Sequence, residues 1–153
     1  MSIFHEVELF GSQARGRLFL HSMPGRFETI PEFLVAAAEE NLSAFLCLVS
    51  DEEIREKSPE YLDLLADPGY AKKVLRAPIR DFGVPDDTDS FQGLLDILAA
   101  SLNAGRNVLI HCAAGVGRTG MAGICRLSEL HAGSNRRLPL RGRCALPARE
   151  PAV

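Results

Sequence analysis

Residues His111-Cys112-Ala113-Ala114-Gly115-Val116-Gly117-Arg118-Thr119 carry the residue types and spacing most able to do chemistry in this 153-residue chain. The short apolar run Asn107-Val108-Leu109-Ile110-His111 precedes them and reads as a strand. A helix to about Leu130 is expected to follow. A helix N-terminus offers unpaired N–H groups and the positive end of the helix dipole. Small residues at 113, 114, 115 and 117 let the backbone curl tightly into a nest of donors. Such a cradle fits a phosphate. Arg118 would close it with a planar, always-charged fork matched to phosphate oxygens. Cys112 stands at the base of the cradle. The donors that hold phosphate also hold thiolate, and such settings lower a cysteine pKa to about 3.5–7.5. A thiolate beneath a bound phosphoryl group is an in-line nucleophile. A lone cysteine after an apolar strand is more often a small buried hydrophobe. A Gly-rich turn can also be a nucleotide loop, but the Lys-Ser/Thr of a Walker loop is missing.

The pattern H-C-x-x-G-x-x-R-T-G resembles the signature loop of the cysteine-dependent protein-tyrosine and dual-specificity phosphatases. The resemblance extends upstream. Ile79-Arg80-Asp81-Phe82-Gly83-Val84-Pro85 is similar to the general-acid loop of that superfamily. The spacing between the two segments, with an amphipathic helix in between, resembles the compact members, including the cyclin-dependent-kinase-associated type and its bacterial relatives. The likeness covers roughly residues 15–130. It implies an α/β fold, a central mixed and mostly parallel sheet flanked by helices, with the signature loop between a strand and a helix.

The resemblance also implies roles. Cys112 is the nucleophile that forms a cysteinyl-phosphate. Arg118 binds the phosphoryl group, and the backbone N–H groups of Ala113, Ala114, Gly115, Val116, Gly117 and Arg118 hold its oxygens. Asp81 protonates the leaving group and then serves as base on water, with Asp86 and Asp87 as competitors for that role. Thr119 is placed to hydrogen-bond the sulfur as it leaves, and His111 to orient the loop. No metal or cofactor is required. The expected substrates are proteins carrying phosphotyrosine, with phosphoserine or phosphothreonine also open. No lysines occupy 113–117, which argues against inositol lipids. A non-catalytic phosphate-binding module and a hydrolase of small phosphorylated metabolites are the competing readings.

The elements that must position these residues follow from patterning. Phe4-His5-Glu6-Val7-Glu8-Leu9 alternates as a half-buried strand, and Arg17-Leu18-Phe19-Leu20 reads as a second. Pro31 suits a first helical turn, with Thr29 as N-cap candidate, and that helix should run to about Asn41. Residues 44–49 form a continuous apolar run, as in a strand covered on both faces. Ser50-Asp51-Glu52-Glu53 opens a polar helix, acids first, and Pro59 to Leu65 reads as another. Val74 to Ile79 is a strand candidate that Pro78 demotes to an edge. Phe91, Leu94, Leu95, Leu98 and Leu102 form an amphipathic stripe, closed by Gly105. Alternating strands and helices give an α/β layered domain. His5, His21 and His131 read as surface residues, and Arg26 as a surface turn. Related lipid phosphatases keep a second cysteine just after the strand before the acid loop; the matching place here resembles Ser50, with Cys47 three residues earlier, so the resemblance implies no regulatory disulfide to Cys112.

Composition limits the classes. Apolar residues are 46% and charged residues 24%, as in one globular domain. The apolar run Ala44–Val49 is too short to span a bilayer, and no run in the chain is longer, so no membrane role is expected. The N-terminus lacks a signal-peptide pattern, and a cytoplasmic location is expected. The formal net charge of −3 disfavours nucleic-acid binding by counterion release. Four cysteines without a CxxC pair disfavour a structural zinc site. Residues 131–153 carry five arginines against one acid, with Pro139, Pro147 and Pro151. We therefore expect a phosphatase-like domain over 1–130, lacking the C-terminal helices of the family, and a poorly ordered basic tail over 131–153.

Overall fold

The computed structural model describes residues 2–8, 14–78 and 88–112. The strands are β1 (His5–Val7), β2 (Leu18–His21), β3 (Leu42–Cys47), β4 (Val74–Arg76) and β5 (Asn107–His111). The helices are α1 (Ile30–Glu39), α2 (Asp51–Lys57), α3 (Pro59–Leu65), α4 (Pro68–Ala71) and α5 (Thr88–Asn103). The strands form one sheet in the order β1-β2-β5-β3-β4. β1 runs antiparallel to β2, and the other pairings are parallel. This is the mixed, mostly parallel α/β sheet that the sequence implied.

The layering follows from handedness. Strand–helix–strand crossovers are right-handed almost without exception. Connections that run in opposite directions across a sheet therefore place their helices on opposite faces. The chain moves from β2 past β5 to β3, then on to β4, and α1, α2, α3 and α4 accompany that direction. It returns from β4 past β3 to β5, and α5 accompanies the return. Accordingly Phe33, Ile54, Tyr61 and Tyr70 pack with Phe19, Phe45, Cys47 and Leu109 on one face. Leu95, Leu98 and Leu102 pack with Leu18, Leu46, Val108 and Ile110 on the other. Alternation along β5 divides its side chains between the two layers, so a strand covered on both faces reads as an unbroken apolar run.

Local signals set most element ends. Thr29 caps α1 in a reciprocal capping box with Glu32, and Pro31 occupies its first turn. Asn41, at φ 53°, ends the excursion beyond α1. The Ser50 hydroxyl accepts from the Glu53 N–H at 3.3 Å and caps α2. Gly105, at φ 92°, turns the chain out of α5.

Several expectations shift. β1 is shorter than the alternation implied, because Phe4 leaves the ladder to pack edge-on against Phe19, His21 and Phe33. β3 begins two residues before the apolar run, since Leu42 pairs with Asn107 across a register shift at Leu42/Ala44. Leu48 and Val49 are buried past the strand end, and the Leu48 N–H donates to the His111 carbonyl at 3.1 Å. β4 ends at Arg76 and lies at the sheet edge, as Pro78 implied. α4 had no counterpart in the sequence reading; Asp67 caps it through the Gly69 N–H at 3.3 Å. The tail over 131–153 lies outside the described residues, as do His131 and Cys125.

Candidate active site

In open parallel sheets the ligand crevice lies beyond the carboxyl ends of the strands, where the direction of winding reverses. Here that point is β5, inserted between β2 and β3. Register aligns His21 with His111 and Cys47 with His111, so three strands end side by side. Cys112 is the next residue of the central strand. It is 5% exposed and joins the α5-side cluster of Leu20, Leu48, Leu95 and Leu98.

His111 faces the opposite layer and is fully buried at 1% exposure. Its Nε2 lies 2.7 Å from the Tyr61 hydroxyl, which lies 3.4 Å from the Tyr70 hydroxyl. The Tyr61 and His111 rings meet edge to face at 5.1 Å. Burial, with His21 and Arg76 adding like-charge repulsion, pushes the His111 imidazole down to about 3. It is therefore neutral at physiological pH. Burial likewise raises the Tyr61 hydroxyl well above its ordinary range and Tyr70 to a value beyond it.

A pH dependence of stability follows. The unfolded imidazole binds a proton near its ordinary pKa of 6.5, whereas the folded one resists until about 3. The unfolded state therefore holds more protons between those limits, and stability is complete above the upper one and lost as pH falls. The thermal midpoint should decline from pH 6.5 towards pH 3, and His111→Gln should flatten that decline. Equal slopes in the two proteins would show that His111 is not a buried neutral group.

The reading of His21 as a surface residue is corrected. It is 8% exposed, and its Nε2 donates to Glu28 Oε1 at 2.9 Å. The ring also lies 4.8 Å from Phe4 and 6.1 Å from Phe33. The sequence offers no local sign of this, because Glu28 becomes a partner only when the chain turns back after β2. The turn is fixed from two sides. Glu28 Oε2 accepts from the Gly25 N–H at 2.9 Å, and the Ser58 hydroxyl donates to the Pro24 carbonyl at 2.7 Å. Gly25 adopts φ 86°, and a Cβ there would collide with the Ser58 hydroxyl. Arg26 is exposed on this turn, stacked over Phe27 at 5.0 Å, so the surface-turn expectation holds. His5 is exposed, as expected.

Cys47 shares the His111 layer, and its thiol faces the Val49 carbonyl at 3.7 Å. Burial raises the Cys47 pKa, opposed by a hydrogen bond with the Val49 backbone and by the Arg76 charge. Cys47 and Cys112 lie on opposite faces of one sheet, so their Cβ vectors point apart. Peroxide treatment followed by non-reducing peptide mapping should recover no Cys47–Cys112 disulfide. Recovery of that linked pair would contradict this facing.

Of the anticipated site residues, the structure places His111 and Cys112 together at the end of β5. Asp81, Asp86, Asp87, Ala113, Ala114, Gly115, Val116, Gly117, Arg118 and Thr119 lie outside the described residues. Tyr61, Tyr70, His21 and Glu28, which gather near His111, were not anticipated as site residues. Among the described residues no three His, Cys, Asp or Glu side chains group as a metal site would require. Among the same residues no helix is long and apolar enough to cross a membrane.

This α/β architecture is shared with protein phosphatases of known structure. The fold is similar to that of the kinase associated phosphatase KAP, crystallised with its catalytic cysteine changed to serine. The TM-score is 0.70 at 20% identity, covering 85% of this chain and 75% of that one. It is also similar to Tk-PTP in its active form, with a TM-score of 0.55 at 25% identity over 86% of this chain and 78% of that one. A family model described as "Tc-R-P: Polymorphic toxin system, DSP-PTPase phosphatase" matches residues 21–129, and the chain belongs to that family. It is a protein phosphatase of the dual-specificity/protein-tyrosine type. No curated protein matches the sequence.

Proposed function

We propose that the chain hydrolyses phosphotyrosine in proteins through a cysteinyl-phosphate intermediate, with phosphoserine and phosphothreonine open as further substrates. The observation that carries this reading is the position of Cys112, at the end of the central parallel strand and followed directly by the 113–119 sequence. In the first step the Cys112 thiolate attacks phosphorus. The S–P bond forms as the P–O bond to the substrate breaks, and Asp81 gives its proton to the departing oxygen. Arg118 and the backbone N–H groups of 113–118 hold the phosphoryl oxygens as charge redistributes. In the second step the Asp81 carboxylate takes a proton from water, the oxygen of that water attacks phosphorus, and the S–P bond breaks. Thr119 donates to the departing sulfur. His111 is buried and neutral, so it orients rather than reacts.

In this reading residues 1–130 are the catalytic domain and 131–153 a basic tail. A thiolate nucleophile is preserved in a reducing compartment, which supports a cytoplasmic location. The test is hydrolysis of p-nitrophenyl phosphate and of phosphotyrosine and phosphoserine peptides by the purified chain, with and without vanadate. We expect turnover that vanadate inhibits. Phosphate binding without turnover would replace this reading with a capture module. Turnover confined to small phosphorylated metabolites would replace its substrate class.

A further inference from the structure

We propose that residues 136–143, in the basic tail of this same chain, dock in an acidic-rimmed groove between the N-terminal segment and α1. The groove lies on the α1 layer, across the sheet from the cluster that holds Cys112, and its occupancy is independent of turnover.

α1 buries Phe33 and Ala37 against the sheet. An adjoining face of the helix carries Glu32, Val35, Ala36 and Glu39 at spacings of three and four residues. With Ile3 and Glu40 they line an open groove of about 610 Å³. Its apolar part is uncovered, for Ile3 is 45% exposed and Val35 59%. Its rim is acidic. Glu39 makes no hydrogen bond or ion pair among the described residues. Glu32 Oε1 accepts from the Thr29 N–H at 3.1 Å, which leaves Oε2 for another donor. That bond also holds the Glu32 carboxyl below its ordinary range, so it is charged at neutral pH. Glu40 accepts from Arg17 at 3.3 Å, a cation that it shares with Glu6 at 2.6 Å. An occupant matched to this surface is apolar in its middle and basic at both ends.

Arg136-Arg137-Leu138-Pro139-Leu140-Arg141-Gly142-Arg143 has that pattern. Pro139 fixes its own φ and biases Leu138 towards extended backbone, so such a segment loses little entropy on docking and needs no ladder hydrogen bonds. The dimensions agree. Glu32 and Glu39 are two helical turns apart, about 10 Å at 1.5 Å per residue. Arg137 and Arg141 are about 12 Å apart in a polyproline-like chain at 3.1 Å per residue. Each guanidinium can fork onto a carboxylate, with Leu138 and Leu140 set over Ile3, Val35 and Ala36. Residues 113–136 supply from about 36 Å of chain, if wholly helical, to about 80 Å, if extended, enough to cross a small domain. The five arginines and one acid of 131–153 give +4, which leaves −7 on residues 1–130 of a chain whose net charge is −3.

The test is timed trypsin cleavage after Arg137 and Arg141 in the full chain, beside a synthetic peptide of residues 131–153 in the same buffer, read by mass spectrometry. In about 0.02 M salt the chain should be cut there about 5-fold more slowly than the peptide, the scale of one or two surface ion pairs, and the difference should shrink in about 1 M salt. Glu32→Gln removes the charge and keeps the reciprocal cap of α1. Combined with Glu39→Gln it should bring cleavage to the rate of the peptide. Val35→Ser, at an exposed position, should do the same, and a thermal melt confirms that each variant folds. Equal rates in the unmodified chain and the peptide would overturn the proposal and leave the groove to another partner; that comparison needs no variant. Protection that persists in the folded variants would place the tail elsewhere. Protection that grows with protein concentration would make the occupant the tail of a second copy. Either result overturns the proposal as well.

Discussion

Cys112→Ser is expected to abolish hydrolysis while preserving phosphate and vanadate affinity. A serine hydroxyl ionises far above neutral pH, whereas a thiol ionises within reach of it. The loss should reach roughly 10⁴-fold or more, the scale seen when a catalytic nucleophile is removed outright. Affinity should survive, because the backbone donors of 113–118 and the Arg118 guanidinium are untouched. Binding is measured by titration with vanadate and turnover by p-nitrophenol release. Cys112 contributes to an apolar cluster, so a thermal melt on the same sample separates lost chemistry from lost packing. Residual turnover within tenfold of the unmodified protein would remove the cysteinyl-phosphate from the mechanism.

Asp81→Asn is expected to reduce the rate by about 10²–10⁴-fold, the usual contribution of a general acid. The loss should depend on the leaving group. A phosphotyrosine peptide releases a phenol that needs a proton, so its rate should fall most. p-Nitrophenol is a much better leaving group and should lose less. The acid acts with its proton in place, so the alkaline limb of the kcat profile should disappear in the variant. Asp86 and Asp87 are five and six residues from this position in the sequence and provide the control. A larger loss in Asp86→Asn or Asp87→Asn would move the assignment to that residue.

Much of the fold was legible because local rules and tertiary packing agree. Pro59–Leu65 and Asn107–His111 have the limits read from sequence. The stripe of Leu95, Leu98 and Leu102 is fully buried, because a period of 3.6 leaves one face to pack on the sheet. Thr29, Ser50 and Gly105 mark ends through caps and a left-handed turn, which need only the residue and its near neighbours. The Cys112 segment was legible for the same reason: its cysteine, small residues and arginine fall within the seven consecutive positions 112–118.

What the sequence could not provide are the contacts between segments far apart along it. Nothing in the order of residues says that β5 enters between β2 and β3, yet that insertion puts Cys112 at the switch point. Cys47 and Cys112 face opposite layers only because of how β3 and β5 register. His21 appeared to be a surface residue until the turn through Gly25 brought Glu28 back to it. Tyr61 meets His111 across fifty positions of sequence. Periodicity told only that such residues lie inside or outside. Which buried polar atom finds which partner was decided by the sheet order and the helices laid over it, since burial compels pairing without naming the mate.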